Sequence, residues 1–256
     1  MIGPLIGMVH LEALPGAPGF AGDLDAVLAA AAADARALAE AGFDALIVEN
    51  YGDAPFFADD VPKVTVAAMT RAVAEMRRVI DLPVGVNVLR NDALAGLAIA
   101  AATGAAFVRV NVLAGSMSTD QGVITGRAAE VTRLRSALGA PVLLLADVFV
   151  KHAVPPAGLT LEQAVADTWE RAGADGLIVT GSGTRQPTPL DRVARVKAAA
   201  PGVPVYAGSG VTAATVAEVL RLADGVIVGT ALKRDGATVS PVDPARARAL
   251  VSAARG

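Results

Sequence analysis

Short runs of apolar residues recur along the chain at roughly even intervals, and a longer stretch with helical periodicity follows each of them. Runs rich in Val, Ile and Leu that are mostly continuous predict strands buried on both faces, as in a parallel sheet. The predicted strands are 4–9, 44–49, 83–88, 106–112, 141–147, 175–180, 203–207 and 224–228. The predicted helices are 24–41, 64–80, 92–103, 126–138, 160–172, 189–200, 212–222 and 243–254. This repeated unit predicts an α/β fold.

A closed (β/α)8 TIM barrel fits eight such units best. The chain has 256 residues, close to the roughly 250 that are typical of this fold, so we expect one domain over 1–256. A weak internal repeat supports closure, because residues 40–48 resemble residues 171–179 about half a chain away. The competing fold is an open doubly wound sheet, which normally has a Gly-rich turn after its first strand. In this sequence the Gly-rich turns come late.

Charge and composition exclude several classes of function. The net charge is −3 and no segment is dense in Lys or Arg, which argues against a nucleic-acid partner. Charges, glycines or prolines interrupt every apolar run before the roughly 18 residues of a membrane span, although peripheral membrane association is compatible with the sequence. The absence of cysteine excludes thiolate chemistry and fits a cytoplasmic location. Alanine-rich outer helices are compatible with a homo-oligomer.

Polar residues stand where the predicted strands end, and in a barrel these ends converge on one mouth. The candidate catalytic residues are His10, Glu49, Asp147, Lys151 and His152. The candidate substrate-binding residues are Asn87, Arg109, Asn111 and Thr180. The alternative is a hydrogen-bond network inside the barrel that holds the sheet in register, with Arg109 paired to Glu49 or Asp147.

Individual residues keep more than one interpretation. His10 is a candidate general acid or base, a metal ligand or a buried core imidazole. A desolvated Lys151 would form a Schiff base, whereas a solvated one would be an ordinary loop lysine. A divalent cation would find oxygen ligands in Glu49, Asp147 and the nearby asparagines, but no spacing motif marks a metal site and we predict no other cofactor.

Glycine-rich loops follow the last three predicted strands, at 181–184, 208–210 and 229–230. Small residues let backbone N–H groups approach an anion, and the loops after the seventh and eighth strands of a barrel commonly bind phosphate. The predicted phosphate-binding residues are Gly181, Gly208, Ser209, Gly210, Gly229 and Thr230. A helix starting near Thr212 would add its positive end. The alternative is that these glycines only form tight turns.

Several strings of the sequence resemble the BtpA/SgcQ family, namely 7–11 with 14–16, 48–56, 85–92, 108–112, 119–122, 146–153 and 208–211. The resemblance covers nearly the whole chain and implies a barrel of the ribulose-phosphate-binding type. It also implies a family named for a role in photosystem I biogenesis, without a known reaction. One departure is Thr184-Arg185, where relatives have Thr-Gly, and this departure brings Arg185 to a predicted phosphate loop.

The leading hypothesis is an enzyme that acts on a small phosphorylated ligand, a sugar phosphate or nucleotide-like compound, by acid/base chemistry at the mouth. One alternative is a non-catalytic assembly factor for a membrane complex such as photosystem I. That alternative predicts a large exposed apolar or basic surface away from the mouth. A third hypothesis is a sensor that binds a phosphorylated ligand without turning it over, since one fold serves many functions.

Overall fold

The computed structural model describes residues 2–256. Its eleven strands are β1 (Leu5–His10), β2 (Ala45–Glu49), β3 (Val84–Asn87), β4 (Phe107–Val110), β5 (Ser116–Thr119), β6 (Gly122–Thr125), β7 (Leu143–Val148), β8 (Ala153–Val154), β9 (Gly176–Val179), β10 (Val205–Ala207) and β11 (Gly225–Val228). Eight of them close into a parallel barrel in the order β1-β11-β10-β9-β7-β4-β3-β2. The predicted TIM-barrel fold is therefore confirmed.

The helices cover the outside of this barrel. They are α1 (Leu24–Ala41), α2 (Lys63–Val79), α3 (Ala93–Thr103), α4 (Ala128–Leu138), α5 (Leu161–Ala166), α6 (Leu190–Ala199), α7 (Val216–Leu220) and α8 (Pro244–Arg255). Local capping explains several ends. Asp23 caps α1 by accepting a hydrogen bond from the Ala26 N–H at 3.0 Å, and Gly42 ends it in the left-handed region at φ 95°, where glycine is favoured. Within residues 2–256, no helix is apolar over a stretch long enough to cross a bilayer.

Two predicted helices differ from the observed ones. The stretch predicted as one helix over 160–172 is α5 followed by a π-helical turn at Asp167–Arg171. The predicted helix start near Thr212 is wrong, since α7 starts at Val216. Thr212 donates its N–H to the Thr215 hydroxyl at 3.1 Å, and such local side-chain bonds favour a turn over a helix. The predicted positive helix end beside the mouth is therefore absent there.

Inward and outward side chains alternate along the barrel strands and build two cores. The inner core consists of Ile6, Met8, Ala45, Ile47, Phe107, Leu145, Ile178, Tyr206 and Ile227. A larger core lies between the sheet and the helices. Gly85 shows how tightly the inner core is filled, because a Cβ at this position would lie 2.2 Å from the Phe107 ring. The phenylalanine of β4 thus occupies the space that a β3 side chain would take, and the polar residues are left to the strand ends.

A small second sheet is present that the sequence did not predict. β5 pairs with β6 and β8 in antiparallel fashion, and its buried side is packed on an apolar cluster that includes Met117, Ile124 and Val150. This sheet stands over the β4 and β7 side of the barrel, because its strands lie in the loops that follow β4 and β7. The segment that carries Lys151 and His152 is therefore held in place at β8, its C-terminal end.

Candidate active site at the barrel mouth

Inward-facing residues at the last one or two inward positions of the strands form a polar layer at the mouth. The register places His10 beside Glu49 and Glu49 beside Asn87, and side chains alternate between the faces of each strand. The layer consists of His10, Glu49, Asn87, Arg109, Asn111, Asp147, Thr180, Gly208 and Gly229. Polar members come from the β1, β2, β3, β4, β7 and β9 side, whereas β10 and β11 contribute glycine. The layer is therefore filled on one side and open on the other.

Arg109 and Asp147 form a buried, two-pronged ion pair. The Arg109 Nε donates to Asp147 Oδ2 and its Nη2 donates to Asp147 Oδ1, both at 2.9 Å. The side chains are 1% and 0% exposed. Burial alone would lower the pKa of Arg109, but the charge and hydrogen bonds of Asp147 raise it. Asp147 therefore stabilises the charged guanidinium, and this contact is one of the two pairings considered from the sequence.

Two asparagines extend this pair into a network. Asn111 Nδ2 donates to Asp147 Oδ2 at 3.3 Å, and Asn87 Nδ2 lies 3.2 Å from both the Arg109 carbonyl and Asn111 Oδ1. Asn87 Oδ1 is buried and has no partner within residues 2–256. Both Asp147 oxygens are engaged by neighbouring donors, so this carboxylate acts on the geometry of Arg109 more directly than on a substrate proton.

His10 and Glu49 form the second polar group of the layer. His10 Nε2 lies 3.8 Å from Glu49 Oε1, beyond hydrogen-bond length, and its ring meets Tyr51 edge-on with centroids 5.1 Å apart. Burial, followed by the cations of Lys233, Lys151 and Arg109, holds the pKa of His10 well below its usual value. His10 is therefore neutral at neutral pH.

The buried neutral histidine makes stability depend on pH. Because the unfolded imidazole takes up a proton below about pH 6.5 while the folded one does not, the unfolded state binds more protons and stability falls as the pH drops through that value. We expect His10→Asn to remove a slope of up to about 1.4 kcal/mol per pH unit, measured by urea unfolding between about pH 5 and 8. An identical slope in variant and wild type would contradict this.

Lys151 and His152 follow β7 but differ in their surroundings. His152 Nε2 accepts a hydrogen bond from the Thr184 N–H at 3.1 Å and lies 3.0 Å from its hydroxyl. Burial first, then the cations of Lys151 and Arg90, lowers the pKa of His152. His152 thus holds the loop after β9, whereas Lys151 points to the mouth. The pH dependence of stability that remains in the His10→Asn variant is expected to come from His152.

Ser209 links the two loops that follow β9 and β10. Its Oγ accepts from the Gly181 N–H at 2.6 Å and donates to the Gln186 carbonyl at 3.0 Å. The Gly208 N–H donates to the Val179 carbonyl at 2.8 Å. The N–H groups of Gly181 and Gly208, two predicted phosphate donors, are therefore already used inside the protein.

Other backbone donors at the mouth are free. Within residues 2–256, the N–H groups of Ser209, Gly210, Gly229 and Thr230 have no hydrogen-bond partner. A Cβ on Gly210 would lie 2.5 Å from the Gln186 carbonyl oxygen, and one on Gly229 would lie 2.8 Å from His10 Cε1. Close packing thus requires glycine at both positions, and both residues line the cavity of the mouth.

A cavity of about 210 Å³ opens between the glycine side and the polar side of the layer. The predicted site residues that line it are His10, Glu49, Arg109, Lys151, Gly208, Ser209, Gly210, Gly229 and Thr230. The predicted residues outside its lining are Asn87, Asn111, Asp147, His152, Thr180 and Gly181. Tyr51 and Arg185 also line it. The structure therefore brings most of the predicted residues to one cavity and places the rest as support around it.

Lys233 and Asp34 form a buried ion pair that was not predicted from the sequence. Lys233 Nζ lies 2.5 Å from Asp34 Oδ2, and the lysine side chain is 1% exposed. Asp34 Oδ1 accepts from the Val242 N–H at 2.7 Å. The pair ties the loop after β11, which carries Thr230, to α1. Its signal in the sequence is an aspartate on the apolar face of the first helix.

The donor set suits an anion better than a cation. No group of three or more His, Asp or Glu residues within 2–256 stands close enough to hold a metal ion. The Arg109 guanidinium and an asparagine amide occupy the oxygens of Asp147, which leaves Glu49 as the free carboxylate of the mouth. One carboxylate is a small part of the six to eight oxygens that Ca²⁺ takes.

Comparison with known proteins agrees with this architecture. The sequence model of the BtpA family matches residues 1–256. The chain belongs to the BtpA family. It is 46% identical over 250 residues to the photosystem I biogenesis protein BtpA of Synechocystis, covering 98% of this chain and 87% of that protein. It is 35% identical over 247 residues to the putative sgc region protein SgcQ of Escherichia coli, with 94% and 90% covered.

Solved structures show the same fold for this BtpA-family chain. One of them is N-(5'-phosphoribosyl)anthranilate isomerase from Pyrococcus furiosus, with a TM-score of 0.58 and 15% sequence identity. The match covers 98% of each chain. At this identity the likeness concerns the fold alone.

Proposed function

We propose that this BtpA-family chain is an enzyme that acts on a small phosphorylated metabolite by acid/base chemistry at the barrel mouth. The observation that supports it is the division of the mouth. Free backbone donors of the β10 and β11 loops and titratable side chains of the opposite strands line the same cavity. A substrate bound by its phosphate on the glycine side would present its other end to the titratable side chains.

The residues on the glycine side of the mouth have three roles. The N–H groups of Ser209, Gly210, Gly229 and Thr230 bind the phosphate, as backbone donors of glycine-rich loops do elsewhere. The guanidinium of Arg185, in the same lining, adds positive charge to this side. Gly181 and Gly208 shape the loops without donating to the ligand.

The opposite side supplies proton transfer. Glu49 lines the cavity, and within residues 2–256 its carboxylate accepts no hydrogen bond, so it is free to take a substrate proton. Arg109 orients a substrate oxygen, while Asp147 holds its guanidinium in place. Asn111 donates to Asp147, and Asn87 donates to the Arg109 carbonyl. The name of the isomerase mentioned above indicates that it acts on a phosphoribosyl compound. Its fold is similar to that of this chain, and this likeness supports the proposal by analogy.

A thermal-shift experiment tests the phosphate site. Purified protein would be heated with dihydroxyacetone phosphate, ribulose 5-phosphate, AMP, inorganic phosphate or Mg²⁺. A ligand at a hundredfold excess over its Kd stabilises by about 2.7 kcal/mol, and each kcal/mol moves the Tm by about 2–4 °C for a chain of this size. We expect a shift with a phosphorylated compound, lost in Thr230→Asp because the new carboxylate repels phosphate.

Thr125→Asp is the matched control, since Thr125 lies exposed in β6 and outside the cavity lining. This variant is expected to keep the full shift. Equal shifts in both variants would place the ligand elsewhere. The absence of a shift with every compound in the wild type would overturn the phosphate site.

A second candidate function, assembly of a membrane complex, is favoured by one surface. Val123 and Val154 are each 66% exposed, and both are paired with Ser118 of β5, so they lie in one row on the small sheet. Together with the name of the Synechocystis relative, this row supports a protein partner. Recovery of one membrane partner that is lost in Val123→Lys and kept in Glu49→Gln would favour this function.

A further inference from the structure

Lys151 differs from the other lysines of the chain. The chain has four lysines. Lys63 is exposed at the start of α2, while Lys197 and Lys233 each pair with an aspartate, at 2.7 and 2.5 Å. Lys151 lines the mouth cavity, and its amine makes no hydrogen bond or ion pair within residues 2–256. An amine in this position is available to a ligand.

The backbone of Lys151 is fixed from both sides. Its N–H donates to the Thr180 hydroxyl at 3.0 Å, and its carbonyl accepts from Arg90 Nη2 at 2.6 Å. The side chain therefore reaches the cavity from a rigid anchor, which favours a reacting group over a mobile surface charge.

Electrostatics also favour a reactive amine. Burial lowers the pKa of Lys151, and the cations of Arg109 and Arg90 lower it further against the opposing charge of Glu49. A larger share of neutral amine follows, and the neutral form is the nucleophile.

We propose that Lys151 Nζ forms an imine with a carbonyl carbon of the substrate, which makes the substrate a phosphorylated aldehyde, ketose or keto acid. This inference rests on the proposed phosphate site, because the glycine loops hold the phosphate on the opposite side of the cavity. The carbonyl end then lies on the side where Lys151 and Glu49 stand.

The chemistry balances without any further reactant. The nitrogen lone pair forms a C–N bond while the C=O π electrons move to oxygen, which takes up a proton to give a carbinolamine. The C–O bond then breaks as the nitrogen lone pair forms the C=N bond, and the oxygen leaves as water, whose two protons are those that the nitrogen gives up. A proton from solvent taken up by the imine nitrogen gives the protonated imine. Glu49 carries a proton between nitrogen and oxygen. The protonated imine draws electrons from the neighbouring carbon, whose proton or bonded carbon is then released more easily.

Borohydride trapping tests the imine. The full chain would be incubated with dihydroxyacetone phosphate, ribulose 5-phosphate or pyruvate and treated with sodium borohydride, which delivers hydride to the imine carbon and leaves a stable secondary amine. Intact mass and peptide mapping would locate the adduct. We expect an adduct on Lys151 with a phosphorylated carbonyl compound, its complete loss in Lys151→Arg and full retention in Lys63→Arg.

The outcomes separate this inference from the proposed function. A Tm shift with these phosphates but no adduct would overturn the imine and leave the phosphate site standing. Adducts spread over Lys63 and Lys151 alike would also overturn it, as unselective modification. An adduct on Lys151 that is equally strong with pyruvate would support the imine and contradict phosphate anchoring.

Discussion

Asp147→Asn is expected to lower the free energy of unfolding by about 3–5 kcal/mol. The amide has nearly the shape of the carboxylate, but it removes the charge that compensates Arg109, whose side chain is 1% exposed. A buried guanidinium without its counter-charge costs far more than the lost hydrogen bonds. Urea unfolding followed by circular dichroism would measure the change, which is a large part of the roughly 5–15 kcal/mol that stabilises a typical protein.

A surface ion pair provides the matched control. Arg195 and Glu162 meet at 2.7 Å, but their side chains are 56% and 52% exposed, so Glu162→Gln is expected to cost only about 0–1 kcal/mol. Replacing both members of the buried pair, in Arg109→Met with Asp147→Leu, is expected to recover part of the lost stability. Equal effects of Asp147→Asn and Glu162→Gln would show that the buried pair has no special cost.

The barrel could be predicted because its strands are buried on both faces. For example, the run predicted over 141–147 is β7 (Leu143–Val148), and 44–49 is β2 (Ala45–Glu49). In such strands the hydrophobic pattern and the local propensity point to the same structure. The strand ends then identify the mouth without knowledge of any contact, and most of the predicted residues do lie around one cavity.

Contacts between distant parts of the chain could not be predicted in the same way. The sequence left Arg109 with two candidate partners, and the strand order favours Asp147, since β7 lies next to β4 whereas β3 separates β4 from the strand of Glu49. Lys233 and Asp34 are 199 residues apart, and only closure of the barrel brings them together. Such choices depend on strand stagger, which local patterns do not encode.

Short elements were missed for another reason. β8 has two residues, and β5 and β6 contain Ser, Thr and Gly in place of a continuous apolar run, so they lack the pattern of a buried strand. Gly122, at φ 93°, is the local sign of the turn between β5 and β6. Packing on the cluster around Met117 stabilises this sheet, and that packing depends on tertiary contacts.

Glu49→Gln is expected to lower kcat by about 10²–10⁴-fold on the phosphorylated compound that gives the largest Tm shift, with KM nearly unchanged. The amide keeps the size of the side chain and leaves the phosphate loops untouched, but it cannot take up a proton. Steady-state kinetics would give kcat and KM separately, and the Tm shift with the same compound would show that binding persists.

Two carboxylates serve as comparisons for this variant. Glu12 is exposed after β1 and outside the cavity lining, so Glu12→Gln is expected to retain full turnover. Asp147→Asn would lose activity through stability, which the unfolding measurement detects independently. If Glu49→Gln turned over as fast as Glu12→Gln, the proton transfer would have to come from another group of the cavity, such as Lys151 or His10, which also line it. A loss of kcat at an unchanged Tm shift, by contrast, would separate catalysis from binding and disfavour the sensor hypothesis.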